Sequence, residues 1–209
     1  DRLYTAPARS LRRRAEQTAI YRIADALARA VAPLICFTAD EVWSHLPPSA
    51  DGTPREPSVH TAAWVPPARL REGISERHLG ALANWPQLAA VRGEVLKALE
   101  AARVAKVIGG SLEARVVLQA DGDVAVLLEK YRAFLPTLFI VSQVDLAQEP
   151  VEGTADAELP GLKLKIARAS GQKCHRCWNY SEQVGKDARY PTVCERCSVA
   201  LQEIEASLA

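Results

Sequence analysis

Methionine is absent from the sequence, position 1 included, although a natural full-length chain begins with it. We therefore expect these 209 residues to be an excised fragment of a longer protein. No stretch comes near the roughly 20 consecutive apolar residues that a membrane-spanning helix needs. The charged N-terminal residues also lack the apolar run of a secretory signal peptide. These absences predict a cytoplasmic protein with no membrane partner.

A dominant charge of either sign is also missing, because 26 basic and 25 acidic residues leave a net charge of +1. Hydrophobic residues make up 48% of the chain, which allows ordinary cores and argues against wholesale disorder. The charges are unevenly placed, since residues 1–31 hold seven arginines against three acidic residues. Such a segment can meet a polyanion, or it can be a solvated helix face.

Residues 10–32 are predicted to form an amphipathic helix. Its apolar stripe at helical spacing consists of Ile20, Ile23, Leu27, Ala30 and Val31. On the opposite side, Arg22, Asp25 and Arg29 lie three and four residues apart and can pair with one another. Pro33 interrupts the pattern and should end the helix.

A second helix is predicted to begin at Thr38, which forms a capping-box pattern with Glu41. Phe37 and Val42 fit the hydrophobic staple that often flanks such a start. The helix should run through Trp43 and end before the Pro47-Pro48 pair. Three residues of this segment are expected in the core: Cys36, Phe37 and Trp43.

Six prolines within residues 47–67 predict an irregular crossing or a linker. A longer helix is predicted from Pro86, a favourable first-turn residue, to the Gly109-Gly110 pair. Its buried stripe should consist of Leu88, Val91, Val95, Leu99 and Ala102.

The pattern then changes to that of a small α/β unit. Residues 113–119 and 137–146 are predicted to be strands, with a short helix over residues 124–134 between them. Leu162, Leu164 and Ile166 alternate with Lys163, Lys165 and Ala167, which is typical of a half-exposed strand.

Two Cys-x-x-Cys knuckles stand close together near the C-terminus: Cys174 with Cys177, and Cys194 with Cys197. Tetrahedral zinc takes four such ligands at about 2.3 Å, and the sixteen residues between the knuckles can form a hairpin that joins them. Gly185 and Pro191 suit its bends. Four thiolates leave no open coordination position, so the expected Zn²⁺ is structural. Two disulfides or a redox-active pair are the alternatives.

The neighbours of the knuckles indicate what the module contacts. Arg176 and Arg196 each precede the last cysteine of a knuckle, and Trp178 and Tyr180 follow the first knuckle. Proteins that bind RNA loops use arginines to contact phosphates and neighbouring aromatic side chains to stack on unpaired bases. The same aromatics can instead pack a domain too small for a full core, with the arginines hydrogen-bonded to sulfur or to solvent.

The knuckle Cys174-His-Arg-Cys-Trp-Asn-Tyr and its partner Cys194-Glu-Arg-Cys resemble the terminal zinc finger of bacterial-type isoleucyl-tRNA synthetases. Further segments resemble that family in the same order along the chain: Arg2-Leu-Tyr4, Gln17-Thr-Ala19, Ala32-Pro-Leu34, Phe37-Thr-Ala-Asp-Glu-Val-Trp43, Val91-Arg-Gly-Glu-Val95, Ala101-Ala-Arg103, Lys106, Ile108-Gly109 and Ser111-Leu-Glu-Ala114. The helical segments alone would also suit valyl enzymes, and the four-cysteine finger favours the isoleucyl ones.

The resemblance implies an α+β multidomain fragment. Residues 1–67 would end an anticodon-binding helical bundle, residues 68–170 would form a long helix and a small α/β junction domain, and residues 171–209 a zinc ribbon with a terminal helix. The family joins isoleucine to its tRNA with ATP, but neither the His-x-Gly-His element nor the Lys-Met-Ser-Lys-Ser loop of its catalytic domain is present. We therefore expect no catalytic residue here, and binding of ATP and isoleucine only in the missing catalytic domain.

The expected partners are the anticodon stem-loop of tRNA(Ile) and the missing N-terminal domains of the same chain, in a monomeric protein. Candidate tRNA contacts are Arg176, Trp178, Tyr180, Arg12, Arg13 and Arg14. One alternative is the zinc finger of a DNA-repair glycosylase, in which Arg189 would grip duplex DNA. Another is a purely structural zinc module that touches no nucleic acid.

Overall fold

The computed structural model describes residues 2–48 and 52–207, except for the side chains of Arg2 and Arg77. The predicted linker over residues 47–67 therefore falls partly outside the described residues. The chain divides into two compact units, Asp1–Ser75 and Glu76–Ala209. The first is helical, and the second combines helices with two small sheets, so the predicted α+β class is confirmed.

The helices of the first unit are α1 (Arg2–Thr5), α2 (Leu11–Val31), α3 (Cys36–His45) and α4 (Pro67–Leu70). Helix α2 confirms the prediction over residues 10–32. It begins where the Ser10 side chain accepts a hydrogen bond from the Arg13 amide at 3.3 Å, which satisfies one of the unpaired donors of the first turn. Helix α3 begins earlier than predicted.

Trp43 fills the interior of the first unit and is only 2% exposed. It packs with Ala28, Ala32, Ala39 and Val59. Its indole N–H donates to the Glu56 carbonyl at 2.8 Å, as a buried indole requires. The guanidinium groups of Arg29 and Arg55 lie 4.5 Å and 4.4 Å from the ring centroid. The proline-rich crossing is thus tied back onto Trp43, with Val59 in a short 3₁₀ turn.

The predicted apolar stripe of α2 is only partly right, because Val31 packs against the core around Trp43 but Ile20, Ile23 and Leu27 do not. Ile20, Ile23 and Leu27 are half exposed or more, whereas the packed side carries Asp25. Asp25 accepts hydrogen bonds from Arg29 at 3.2 Å and from Arg55 at 2.9 Å. The Asp25–Arg29 pair that the spacing predicted does form. It lies on the covered face of α2 and not on a solvated one, because Trp43 and Arg55 pack over this face.

Phe37 and Cys36 are exposed, so their placement in the core was also wrong. The core of this unit consists of Trp43 and the small residues packed around it, and the first turn of α3 lies outside that core. The predicted capping box does not form either, because Ile35 is the N-cap and accepts the Ala39 amide at 2.9 Å. Thr38 is then already inside the helix.

The second unit begins with α5 (Glu76–Ala83) and α6 (Trp85–Val104). The predicted stripe of α6 is confirmed, since Leu88, Val91, Val95, Leu99 and Ala102 are all buried. The helix ends before Gly109-Gly110, contrary to prediction. Lys106 takes a left-handed φ of 57°, its amide donates to Arg103 at 3.0 Å, and that of Val107 donates to Ala102 at 2.9 Å. This is a Schellman termination with lysine where glycine is usual.

A four-stranded sheet follows, with strand order β2-β1-β4-β3. Its elements in chain order are β1 (Ala114–Ala120), α7 (Gly122–Lys130), α8 (Leu135–Phe139), β2 (Gln143–Ala147), β3 (Ala155–Asp156) and β4 (Leu162–Arg168). Strands β1 and β2 are parallel, and β4 is antiparallel to β1 and to β3. The sheet and α6, α7 and α8 share one core.

The strand predicted over residues 137–146 is only half right, because Thr137 to Phe139 belong to α8. Leu135, Leu138 and Phe139 are all buried, and only a helix brings residues at this spacing to one side. The predicted alternation of β4 is confirmed by buried Leu162 and Leu164. Within the described part of the chain, no helix has the length and apolar character needed to cross a membrane.

Candidate metal centre and nucleic-acid interface

Three short elements build the C-terminal finger: β5 (Gln172–Lys173), β6 (Tyr180–Ser181) and α9 (Glu195–Ala206). Strands β5 and β6 pair antiparallel and flank the first knuckle. The hairpin therefore encloses that knuckle, not the sixteen residues between the knuckles as predicted. Gly171, at φ 85°, precedes β5, and a Cβ there would lie 2.3 Å from the Ser181 backbone. Only glycine permits this approach.

The finger is fastened to the edge of the four-stranded sheet by polar contacts. The Gln143 amide side chain donates to the Ser170 carbonyl at 3.0 Å and accepts the Ser170 amide at 2.9 Å. The Ser142 hydroxyl accepts the Tyr180 amide at 2.8 Å. Sequence reasoning missed these anchors, because single polar residues carry no periodic signal. They hold the finger and the sheet in one unit.

The structure brings the four predicted cysteines into one buried cluster. Their sulfur atoms lie within 4.8 Å of one another, and those of Cys177 and Cys194 are 3.6 Å apart. A tetrahedron with Zn–S bonds of about 2.3 Å has edges of about 3.8 Å, so the cluster fits a zinc ion closely. All five cysteines of the chain are free thiols in this structure.

Each sulfur of the cluster also receives a hydrogen bond from a backbone amide or an arginine. The Cys194 amide donates to the Cys174 sulfur at 3.3 Å, and the Asn179 and Cys197 amides donate to Cys177 and Cys194. Arg176 Nη1 lies 3.7 Å from the Cys197 sulfur. The Arg196 guanidinium is hydrogen-bonded to Cys177. Backbone and arginine donors of this kind orient sulfur ligands and stabilise thiolates.

Hydrogen bonds within the cluster shift the pKa values of its thiols in opposite directions. Hydrogen bonds from Cys194 and then Cys197 hold the pKa of Cys177 well below its ordinary value. The hydrogen bond to Cys177 raises the pKa of Cys197 to about 11. Thiols must lose their protons to bind a metal, so a site with one thiolate already favoured suits a divalent cation.

The predicted tRNA contacts next to the knuckles differ in exposure. Trp178 is 62% exposed and takes a left-handed φ of 66°, which is unusual for a bulky residue. Lys173 Nζ lies 5.6 Å from the centre of its ring. Tyr180 is half-buried in β6, and Arg176 is half-buried beside the cluster. The finger thus presents the indole of Trp178 and the ammonium group of Lys173 side by side. The sequence analysis identified Trp178 but missed Lys173.

The other three candidates lie in the first unit, at the start of α2. The side chains of Arg12 and Arg14 are exposed and that of Arg13 is half-buried. Arg189, on which the glycosylase alternative relies, is paired with Glu205 of α9. Arg189 therefore already has a carboxylate partner within the finger.

Comparison with known protein families places these features in a class. The profile described as the anticodon-binding domain of tRNA ligase matches residues 1–118, and the zinc finger found in FPG and IleRS matches residues 171–199. Since the first match covers more than half of the chain, the chain belongs to the family of tRNA-ligase anticodon-binding domains. Such a domain implies tRNA as the partner, and the finger family with the four-cysteine cluster supports a structural zinc ion.

The individual relatives that this chain resembles are isoleucine–tRNA ligases. That of Syntrophotalea carbinolica is 44% identical over 205 residues, which are 97% of this chain and 21% of the relative. The ligases of Geobacter sulfurreducens and Edwardsiella ictaluri are 40% and 44% identical over 95% and 94% of this chain. The chain spans about a fifth of the length of these curated relatives (20% to 21%).

The resemblance to the C-terminal part of isoleucyl-tRNA synthetases is thereby confirmed. The finger family by itself includes two kinds of protein, as its description says. The helical segments decide between them, because the similarity extends over residues 1–118 and over nearly the whole chain. The DNA-repair alternative is not favoured.

Proposed function

We propose that this chain is the tRNA-binding, zinc-binding part of an isoleucine–tRNA ligase and contributes recognition of the anticodon stem-loop to the ATP-dependent charging of tRNA(Ile). The observation that carries the proposal is the combination of an anticodon-binding match over residues 1–118 with a four-thiol cluster in the finger. ATP and isoleucine would bind elsewhere in such a ligase. A monomer in the cytoplasm is part of the same proposal.

In this proposal one structural zinc ion is held by Cys174, Cys177, Cys194 and Cys197. The spacing of their sulfur atoms and the burial of all four residues support the assignment. The ion would supply no chemistry beyond holding the two knuckles together, because four thiolates fill its coordination shell. The rigid knuckles would then fix the direction in which Trp178 points.

Trp178 is the leading candidate for direct contact with the tRNA. An exposed indole offers a face on which an unpaired base of the anticodon loop can stack. Lys173 beside the ring would meet the phosphate next to that base. Arg176 already donates to the Cys197 sulfur, so it ranks below Trp178 and Lys173 as a tRNA contact. Tyr180, Arg12, Arg13 and Arg14 are secondary candidates, the arginines for backbone phosphates.

A binding titration of the zinc-loaded chain tests the function. Isoleucine tRNA should bind more tightly than the same tRNA with an altered anticodon, and both more tightly than duplex DNA. The logarithm of the association constant should fall by about 0.7–0.9 per phosphate contact for each tenfold rise in salt, because bound counterions are released. Equal affinity for all three nucleic acids would reject anticodon recognition by this part of the ligase.

The Trp178→Ala variant tests the contact itself. Loss of base stacking should weaken binding of isoleucine tRNA by about 1–3 kcal/mol, measured by fluorescence anisotropy. Zinc content should stay at the wild-type level, because the indole is not a ligand. Alanine has a Cβ as tryptophan does, so the substitution adds no strain to the left-handed backbone at this position. Trp85→Ala, at a half-exposed tryptophan outside the finger, is the matched control. If Trp178→Ala bound tRNA like the wild type, the indole would be a packing residue.

A further inference from the structure

The two knuckles carry the same residue at the same place. Arg176 immediately precedes Cys177, and Arg196 immediately precedes Cys197. The structure turns each arginine toward the opposite knuckle. Arg176 Nη1 is 3.7 Å from the Cys197 sulfur, and Arg196 is hydrogen-bonded to the Cys177 sulfur. The contacts are reciprocal, and each joins one knuckle to the last cysteine of the other.

Charge explains why such contacts would matter once a metal is bound. Four thiolates around Zn²⁺ leave two excess negative charges, and the Cys174 and Cys197 side chains have no exposed surface. Charge buried away from water destabilises a structure unless it is paired and hydrogen-bonded. Two guanidinium groups, both half-buried at the edge of the cluster, supply the two opposite charges.

We propose that Arg176 and Arg196 form a reciprocal clamp that neutralises the zinc–tetrathiolate centre and slows release of the ion. Each guanidinium donates to a metal-bound sulfur from the opposite knuckle, so zinc dissociation requires both cross-knuckle contacts to open. This inference rests on the proposed assignment of the four cysteines as zinc ligands. It gives both arginines a positioning role in the metal centre, apart from any contact with a phosphate.

Zinc transfer from the whole chain to an excess of a colorimetric chelator tests the clamp. Removing an outer partner of a metal ligand usually lowers metal affinity about 10–100-fold, and we expect this loss in the dissociation rate, so Arg176→Gln and Arg196→Gln should each release zinc up to about 10–100-fold faster than the wild type. The double variant should be faster than either. Lys186→Gln is the matched control, because it removes one positive charge from an exposed residue of the same finger outside the knuckles. Its release rate should equal that of the wild type.

Cobalt replacement supplies a readout that a merely structural role would not move. An N–H···S hydrogen bond stabilises the sulfur lone pairs, so losing it lowers the energy of the sulfur-to-cobalt charge-transfer band. The band of the Co²⁺-loaded chain should therefore move to longer wavelength in Arg176→Gln and in Arg196→Gln, and should be unchanged in Lys186→Gln. The two arginine variants could also lose the metal during purification while Lys186→Gln keeps full occupancy. That result would support the clamp as well, with a larger effect on metal release.

Three results would count against the inference and are distinguishable. Wild-type release rates and band positions in both arginine variants would overturn the clamp. If Lys186→Gln released zinc as fast as the arginine variants do, the effect would come from positive charge in general and not from the clamp. A wild-type chain that holds no zinc at all would instead overturn the ligand assignment of the proposed function.

Discussion

The Cys194→Ser variant is expected to lose zinc and to unfold the finger, while the helices of the first unit keep their structure. The finger core consists of the four cysteines with Val184 and Val193, and Tyr190 and Leu201 pack against it. So small a core cannot hold the fold alone, and structural zinc supplies on the order of 10 kcal/mol or more of folding free energy in zinc-finger peptides. Zinc per chain, measured by atomic emission, should fall from one toward zero.

Hydrogen exchange read by mass spectrometry should locate the damage. Amides of residues 171–199 should lose protection in Cys194→Ser, whereas those of α2 should exchange as in the wild type, because the first unit has its own core around Trp43. Cys36→Ser is the matched control, since Cys36 is an exposed thiol of α3 outside the cluster. A variant lacking the Cys194 thiol that still bound one zinc would contradict the four-thiolate assignment.

The Trp43→Ala variant should destabilise the first unit by about 3–5 kcal/mol, the usual effect of truncating a buried tryptophan. The substitution removes the ring that Ala28, Ala39 and Val59 enclose and leaves the Glu56 carbonyl without its donor. It also takes away the surface on which Arg29 and Arg55 stack. The loss should be measured as the free energy of local unfolding, from the hydrogen exchange of α2 and α3.

Phe37→Ala is the control for this prediction, because the two aromatics lie on the same helix. Phe37 is 93% exposed, and its truncation should change the free energy by no more than about 0.5 kcal/mol. Protection of α6 in the second unit should be unchanged in both variants. If Phe37→Ala destabilised α3 as much as Trp43→Ala does, the assignment of the buried face of this helix would be wrong.

The local features of the fold were predictable wherever the sequence pattern and the packing partner agree. The stripe of α6 was predicted residue by residue, because its buried apolar residues recur at helical spacing and share one core with the sheet. The alternation of β4 was predicted for the same reason. Helix α8 was missed because five residues are too few to establish a period, and Thr137 and Phe139 favour strands.

The first unit shows where a pattern misleads. Helix α2 has apolar residues on one side and paired charges on the other, and periodicity alone assigns the apolar side to the core. The structure packs the side with Asp25, because Arg29 from this face and Arg55 from the proline-rich crossing both pair with Asp25 and stack on the Trp43 ring. Which face is covered depends on residues about thirty positions away, and no local window contains that information.

The zinc knuckles were determined by the sequence itself. Two residues between cysteines are enough to bring two sulfurs together in a turn, so the spacing alone specified the four members of the cluster. Only the tertiary structure decided what surrounds them. It placed Arg176 and Arg196 on the sulfurs of opposite knuckles and left Trp178 exposed, because these directions depend on how the two knuckles pack against each other.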